Sequence, residues 1–451
     1  MEKKYKKNTK EKIESLLKKE DKEKILNLIT ALQPYDLAEI VKNLEHKQQL
    51  TLISLLKVKD SAEILEYLEP ELQYKILQHL PHNILTPLLK QISSDIIVDM
   101  LLAIHPLQAE KLLNLLPIDY REKINKLMTY PEDTAGSIMT VDFISGREYW
   151  TGEQTINHIR KIGRKAELIS YIYVTDMRGE LVGVVSLKEI ILANPKTCLK
   201  NIAKTDVISV PAEMEQEEVA NIISKYNFYA LPVVDYQNRL IGIITYDDIA
   251  EVIQEETTED FQKLGGSQPL TEPYFKTTTL SLFKKRIMWL LILFLGGAYT
   301  SSVLAGYKTE TEKEVALSFF IPLLIGTGGN TGSQIITTLI RALGVGEIKF
   351  KDIFRIVKKE IFTGFLLGTS LGIVGYSWSY IMHVNTNVGY VVALSALFIV
   401  LWSSFVAAIL PLILNKLKID PALVSGPLIS TLVDGTGLII YFTIAKNILR
   451  I

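Results

Sequence analysis

Apolar and polar positions follow three different rhythms along the 451 residues. From about residue 10 to residue 130, Leu and Ile recur at helical spacing with almost no β-branched alternation, which predicts a run of short helices. Between residues 131 and 257, short apolar runs separated by polar turns predict strands, each pair followed by a helix. Beyond Lys284, five stretches are long enough for a helix to cross a hydrocarbon core, which takes roughly 20 residues. Ile287–Tyr307 and Val315–Ile340 are charge-free, and Ile361–Asn415 is too, split in two by the polar break at 383–387. The fifth stretch, Pro421–Ala445, carries Asp434 as its one charge. The fold class is a multidomain α-helical membrane protein. It combines an N-terminal helical solenoid (1–130), a tandem α/β pair (131–257), a connecting helix (258–284) and a five-span transmembrane domain (285–451).

Repeats sharpen the first two parts. Ala38-Glu39, Ala62-Glu63 and Ala109-Glu110 open similar segments at spacings of 24 and 47 residues, the mark of a short helical solenoid. Further on, Tyr-Val-Thr-Asp176-Met-Arg-Gly-Glu-Leu-Val-Gly183-Val-Val-Ser186 aligns with Val-Val-Asp235-Tyr-Gln-Asn-Arg-Leu-Ile-Gly242-Ile-Ile-Thr245 at a constant offset of 59. Each copy reads strand, turn, strand, then a Ser or Thr that N-caps a helix. This arrangement resembles a tandem of CBS (cystathionine-β-synthase) domains, which implies a ligand-sensing, dimerising module and leaves room for a bound nucleotide.

Charge divides the chain. Residues 284–451 carry a net +7 and residues 1–283 a net −8. The basic residues of the second half gather before the first span, after the second and after the fourth. By the positive-inside rule the N-terminus is cytoplasmic, and five spans put the C-terminus outside a cell membrane. The N-terminal MEKKYKKNTKEK lacks an apolar signal core. Cys198 is the single cysteine and the six histidines are scattered, so neither a disulfide framework nor a soft-metal cage is expected. No basic, aromatic-interleaved tract points to nucleic acid. No phosphate-binding loop or nucleophile–base pairing points to an ATPase or another enzyme.

The chemistry inside the spans is oxygen chemistry. The second span contains Pro322 and the run Gly326-Thr-Gly-Gly-Asn-Thr-Gly-Ser-Gln334, whose glycines weaken a continuous helix. Carbonyls freed at such a break survive in a membrane only beside protein or a water-filled cavity. The competing reading of Gly326, Gly328 and Gly329 is close helix packing through small residues. A mid-span carboxylate such as Asp434 is costly unless it faces a partner or water, and no Lys or Arg in the spans neutralises it. A passing cation is the expected counter-charge, with Thr431 and Thr436 along the same path and Asn330 opposite. One carboxylate is thin provision for a divalent ion, which favours a homodimer pairing two Asp434 side chains around one pore. So few ligands suit a hydrated ion, and Mg²⁺ keeps several waters while taking hard oxygen ligands. A proton-coupled secondary transporter with Asp434 as proton carrier is the alternative.

The cytoplasmic half is rich in acids. Glu213, Glu215, Glu217 and Glu218 cluster in one segment. Asp247, Asp248, Glu251, Glu255, Glu256, Glu259 and Asp260 follow along one helix and its continuation. Charges this dense repel unless cations screen them, so bound Mg²⁺ would hold such surfaces together and its loss would release them. The segment 271–283 then leads into the first span as an apolar-faced connector.

This order of parts resembles the MgtE family of magnesium transporters. The likeness covers nearly the whole chain, and its most specific pieces are the Gly326–Gln334 run and Asp434. It implies a homodimeric Mg²⁺ channel in the lipid bilayer that admits Mg²⁺ and is locked shut when cytosolic Mg²⁺ is high. It also implies that Asp434 and Asn330 hold the hydrated ion. Glu63, Glu66, Asp95 and Asp99 are the pool from which the N-domain would supply partners for the acids of the CBS pair.

Overall fold

The computed structural model describes residues 2–19, 21–30, 32–163, 165–270 and 273–451, and the chain divides into two compact units, Met1–Ile253 and Gln254–Ile451.

The first unit opens with short helices from Glu2–Lys18 to Ile118–Leu127. Pro opens three of them, at Pro34, Pro70 and Pro106, where its fixed φ suits the first helical position and its missing N–H costs nothing. Pro34–Lys42 packs on Val58–Glu66, which packs on His82–Leu89; His46–Leu55 packs on Pro70–Leu77, which packs on Ser94–Ala103. Each helix thus rests on the next but one. A buried side chain makes an equivalent bond at three successive steps. Gln49 Nε2, Ser61 Oγ and Gln73 Nε2 donate to the carbonyls of Val41, Ile53 and Leu65, at 2.8, 2.9 and 2.9 Å. These donors satisfy carbonyls at helix ends that would otherwise be buried without partners.

The two repeat copies are superposable element by element. Strands Tyr171–Thr175 and Leu181–Ser186 answer to Ala230–Val234 and Leu240–Thr245. Each hairpin is antiparallel with a bulge before the turn, and each gains a parallel third strand, Ser145–Arg147 or Val210–Pro211. The turn is built identically: Asp176 Oδ1 accepts from the N–H groups of Arg178 and Glu180, and Asp235 Oδ1 from those of Gln237 and Arg239. Ser186 caps Leu187–Leu192 through a reciprocal box with Glu189, and Thr245 Oγ1 donates to Asp248 Oδ2 at 2.6 Å. The turns meet one another, Leu181 N–H donating to Asn238 O and Leu240 N–H to Gly179 O.

The second unit holds five long helices: Thr279–Gly306, Ala316–Gly344, Ile353–Ile381, Thr386–Lys416 and Gly426–Leu449. Four of these, with Ile353–Ile381 extended back to Phe350, are long and apolar enough to cross a membrane; Ala316–Gly344 carries a more polar middle. Ile353–Ile381 and Thr386–Lys416 pack closely along a stripe of glycines. A side chain at Gly368 or Gly372 would meet the backbone of Leu397 or Ala393 within 3.0 Å.

Two expectations change here. Ala316–Gly344 runs unbroken through Gly326–Gln334, so the anticipated break is absent. The glycines serve the other purpose, since neighbouring helices crowd the faces of Gly328, Gly329 and Gly332. The anticipated connecting helix over 258–284 is also divided. Tyr246–Leu264 ends at Gly265-Gly266, with Gly266 at φ +73°, and helix resumes only at Thr279. Pro269 and Pro273 keep the intervening segment from closing into a helix. Thr271 and Glu272, at the start of the expected connector, lie outside the described residues.

Candidate functional site

In the second unit, Ala316–Gly344 and Gly426–Leu449 run antiparallel. Tyr441 Oη donates to Leu317 O at 2.9 Å near one end, and Ser333 Oγ lies 3.3 Å from Gly426 O near the other. Between these anchors the backbones come close. A Cβ on Gly328 would sit 2.7 Å from both Val433 and Ile399, and one on Gly329 would sit 2.9 Å from Ser430 Oγ. Ser403 Oγ, from Thr386–Lys416, donates to Gly328 O at 2.7 Å and closes a three-helix junction. Asn330 and Asp434 each follow one of these contact residues in sequence, on two of the three helices that meet here. Asn330 is exposed and Asp434 half-buried. Among the described residues no hydrogen bond or ion pair reaches the Asp434 carboxylate. Thr436 accepts from Trp402 Nε1 at 2.9 Å, while Thr431 bonds back to Pro427 O on its own helix. Gly326 faces open space, with nothing within 4 Å of its would-be Cβ.

A second constellation lies in the first unit, around Ser93. Its N–H donates to Glu66 Oε1 at 3.0 Å, and its hydroxyl lies 2.5 Å from Asp95 Oδ1 and 2.9 Å from Glu167 Oε2. Three carboxylates, two from helices and one from an irregular stretch, therefore surround one serine. Asp95 begins the Ser94–Ala103 helix, where the positive end of the helix dipole favours it. Ser94 Oγ, fully buried, accepts from Val141 N–H at 2.8 Å and bonds Thr140 Oγ1 at 2.9 Å, fixing the helix start against the loop before the first repeat. Asp142 accepts from Tyr120 Oη at 2.9 Å and ion-pairs with Lys165 at 3.0 Å. Lys165 is thereby committed, and its ammonium also lies 3.3 Å from the Tyr120 ring centre.

Electrostatics in this pocket disfavour ionisation. Burial, seconded by repulsion from Glu167 and Asp95, lifts Glu66 to about 7. Burial and the Asp95 charge lift Glu167 to about 7 and Asp248 to about 8. Burial raises Asp95 as well. Such a cluster is a candidate place for a counter-charge. Among the described residues, however, no three His, Cys, Asp or Glu side chains stand close enough to share one ion directly. Hard oxygen donors at this spacing fit a cation that keeps its water shell.

The remaining acids named from the sequence are scattered more widely. Glu63 is paired with Lys59 at 3.3 Å on its own helix, and Asp99 is exposed one turn beyond Asp95. Asp247 is exposed beside Asp248. Glu213, Glu215, Glu217 and Glu218 are all exposed around the start of Gln216–Tyr226, away from the Ser93 pocket, where they complement the helix dipole. Glu251 and Glu255 are exposed, and Glu256, Glu259 and Asp260 are partly buried along Tyr246–Leu264. Sequence reasoning missed Glu167, Asp142 and Ser93. All three sit in short irregular stretches, and the Ser-Ser-Asp run at 93–95, a helix-start signal, is the one feature of the sequence that could have pointed there. A cleft of about 240 Å³ between the repeat copies is lined by Tyr171, Lys204, Asp206, Phe228 and Pro232 among others.

Comparison with known proteins gives this arrangement a family. Residues 321–444 match a family model described as a divalent cation transporter, residues 32–133 match the MgtE intracellular N domain, and residues 135–196 and 199–255 each match a CBS domain. The magnesium transporter MgtE of Thermus thermophilus is 40% identical over 361 residues, covering 79% of this chain and 80% of that protein. The chain belongs to the MgtE family of magnesium transporters. Its Bacillus subtilis relative is 36% identical over 323 residues, 71% of each chain. Two solved structures share the fold of the N-terminal region. One is the soluble part of a magnesium transporter, with 31% identity and TM-score 0.51, covering 56% of this chain and 99% of that one. The other is the cytosolic domain of the Mg²⁺ channel MgtE in complex with ATP, with 34% identity and TM-score 0.50, covering 53% of this chain and 98% of that one. With its apolar helices, this MgtE-family chain is a membrane protein.

Proposed function

We propose that two copies of this chain form a channel that lets hydrated Mg²⁺ enter the cytosol down its electrochemical gradient. The observation that carries this reading is Asp434. It is a half-buried carboxylate without a counter-charge among the described residues, on one of three closely packed apolar helices, in a chain whose relatives are named magnesium transporters. All five long helices then span the bilayer, Ala316–Gly344 included, because its polar residues line the path rather than face lipid. The N-terminus is cytoplasmic and the C-terminus outside. Thr279–Gly306 buries none of its residues within one chain, which leaves apolar surface for lipid and for a second copy. Around a two-fold axis, paired Asp434 carboxylates and Asn330 amides bind an ion through its waters, with Gly326, Gly328 and Gly329 keeping the walls thin and Thr431 and Thr436 beside them. Inward movement of a divalent ion gains about 4.6 kcal/mol per 100 mV, so no coupled pump is needed.

The acids of the cytoplasmic region are the sensor in this reading. Mg²⁺ neutralises Asp95, Asp248 and their neighbours, with the acids along Tyr246–Leu264 contributing further sites, and the channel closes when they are filled. The N-terminal helices form a solenoid that carries one side of the sensor. The cleft between the repeat copies takes a nucleotide, as the ATP-bound relative does in its own cytosolic domain.

Proteoliposomes test the pore. Asp434→Ala is expected to abolish Mg²⁺ uptake while the protein elutes from a sizing column as the wild type does. Uptake should be electrogenic and persist without a proton gradient. Normal flux from Asp434→Ala overturns the assignment, and strict dependence on a proton gradient replaces the channel with a coupled transporter.

A further inference from the structure

Tyr246–Leu264 starts at the end of the second repeat copy and ends in the second unit, where Leu264 packs against the apolar core of the long helices. In its last turn, Lys263 places Nζ 2.6 Å from Asp420 Oδ2 and also ion-pairs with Glu259 one turn earlier. Lys263 is the more shielded partner, at 21% side-chain exposure against 36% for Asp420 and 40% for Glu259. Two carboxylates thus share one ammonium in a partly dry place, where the attraction is screened less than on an open surface.

Asp420 is itself a structural acid. Its Oδ1 accepts from Ala422 N–H at 2.8 Å and opens the short turn Pro421–Leu423, which leads into Ser425 and Gly426–Leu449. A second link runs parallel to the first. Gly266 lies so close to Trp289 that a Cβ would sit 2.5 Å from the indole, and Trp289 Nε1 donates to Ser425 Oγ at 3.1 Å. That same hydroxyl accepts from Leu428 N–H and caps the helix bearing Asp434. From Ser425 to Asp434 is roughly 13 Å along a helix at 1.5 Å per residue.

We propose that Lys263 is a coupling residue: its shared ion pair with Asp420, backed by the Gly266–Trp289–Ser425 contact, hands movement of Tyr246–Leu264 to the start of the helix that carries Asp434. The lysine acts by position and touches no ion. Charge is what makes the link specific, because an apolar side chain of similar length at 263 leaves Asp420 its cap but removes its hold on the connecting helix. This inference rests on the reading that cytosolic Mg²⁺ shuts the channel.

The test measures Mg²⁺ flux through the full-length protein in patches, with the Mg²⁺ concentration on the cytoplasmic side stepped. Lys263→Met is expected to leave flux at low Mg²⁺ near the wild-type level and to raise the half-inhibitory Mg²⁺ concentration at least tenfold. Asp420→Asn, which keeps a capping oxygen, should give the same shift, and the double variant no further shift, since one interaction is removed in all three. Lys263→Arg should retain the wild-type response, and Trp289→Phe should weaken it by a smaller factor. Shut-off of Lys263→Met at the wild-type concentration overturns the proposal, as do additive shifts in the double variant. A wild type that never shuts with Mg²⁺ overturns the regulatory reading instead. Asp420→Asn keeps the inference testable if Lys263→Met fails to fold.

Discussion

Raising the pH from 5 to 8 in the absence of divalent ions should destabilise the first unit, opposite to the common behaviour of paired carboxylates. Glu66 and Glu167 titrate at about 7 in the folded chain, against an ordinary 4.5, and Asp248 at about 8 against 3.8. Between about pH 4.5 and 7 the folded state therefore binds more protons than the unfolded one. Stability falls with pH in that window and levels off above about pH 8. At 1.36 kcal/mol per unit, the shift at Glu66 amounts to roughly 3 kcal/mol, and Glu167 contributes a similar ceiling. The acids repel one another, so their effects are not additive, and a total of roughly 3–5 kcal/mol is the expected scale. For a unit of this size that moves Tm by about 10 °C. Scanning calorimetry of the full chain in detergent with EDTA reads this as a shift in that unit's transition, identified by its loss when residues 1–260 are removed. Mg²⁺ should restore Tm at pH 8, where the acids are charged, and do little at pH 5, where protons already neutralise them. Glu66→Gln should flatten the pH profile. A Tm that is constant or rises between pH 5 and 8 refutes the reasoning, as does an equal Mg²⁺ effect at both ends.

Three further outcomes follow from contacts in the structure. Gly329→Val puts a branched side chain against Ser430, and is expected to cost roughly 1–3 kcal/mol and to lower flux, whereas Gly326→Ala, facing open space, should leave detergent Tm unchanged. Ser94→Ala removes the acceptor of the Val141 N–H inside a buried contact and should cost roughly 1–3 kcal/mol, read by calorimetry. Removing residues 1–260 should leave flux that millimolar cytosolic Mg²⁺ no longer stops; retained shut-off in the same patch recording would place the sensor in the membrane half.

Much of the architecture was legible because periodicity is local. The offset of 59 residues matches two hairpins whose strands, bulges and Asp-anchored turns coincide residue for residue. The helix boundaries around 383–387 follow from a polar break in a charge-free run, the chain ending one helix at Ile381 and starting the next at Thr386. The Gly326–Gln334 run misled for a physical reason. Glycine's low helix propensity is a property of the isolated segment, and the packing that overrides it depends on Ser403, Ile429, Ser430 and Val433, which are distant in sequence. Density of charge along the chain singled out Glu213–Glu218, which the fold leaves exposed, and also Asp248, whereas Glu66 and Glu167, the other acids raised by burial, are far apart in sequence.

The sequence by itself determined which residues lie in membrane-length helices, where the repeat falls, and that Asp434 stands in an apolar span without a basic partner. Those properties depend on composition and spacing within a few tens of residues. Only the tertiary structure decided that Gly328 and Gly329 pack against Val433 and Ser430, that Ser93 gathers Glu66, Asp95 and Glu167, and that Lys263 bridges to Asp420 across 157 residues of chain. Each depends on which surfaces the packing brings together, and desolvation, which gives the acids their altered titration, exists only once those surfaces have closed.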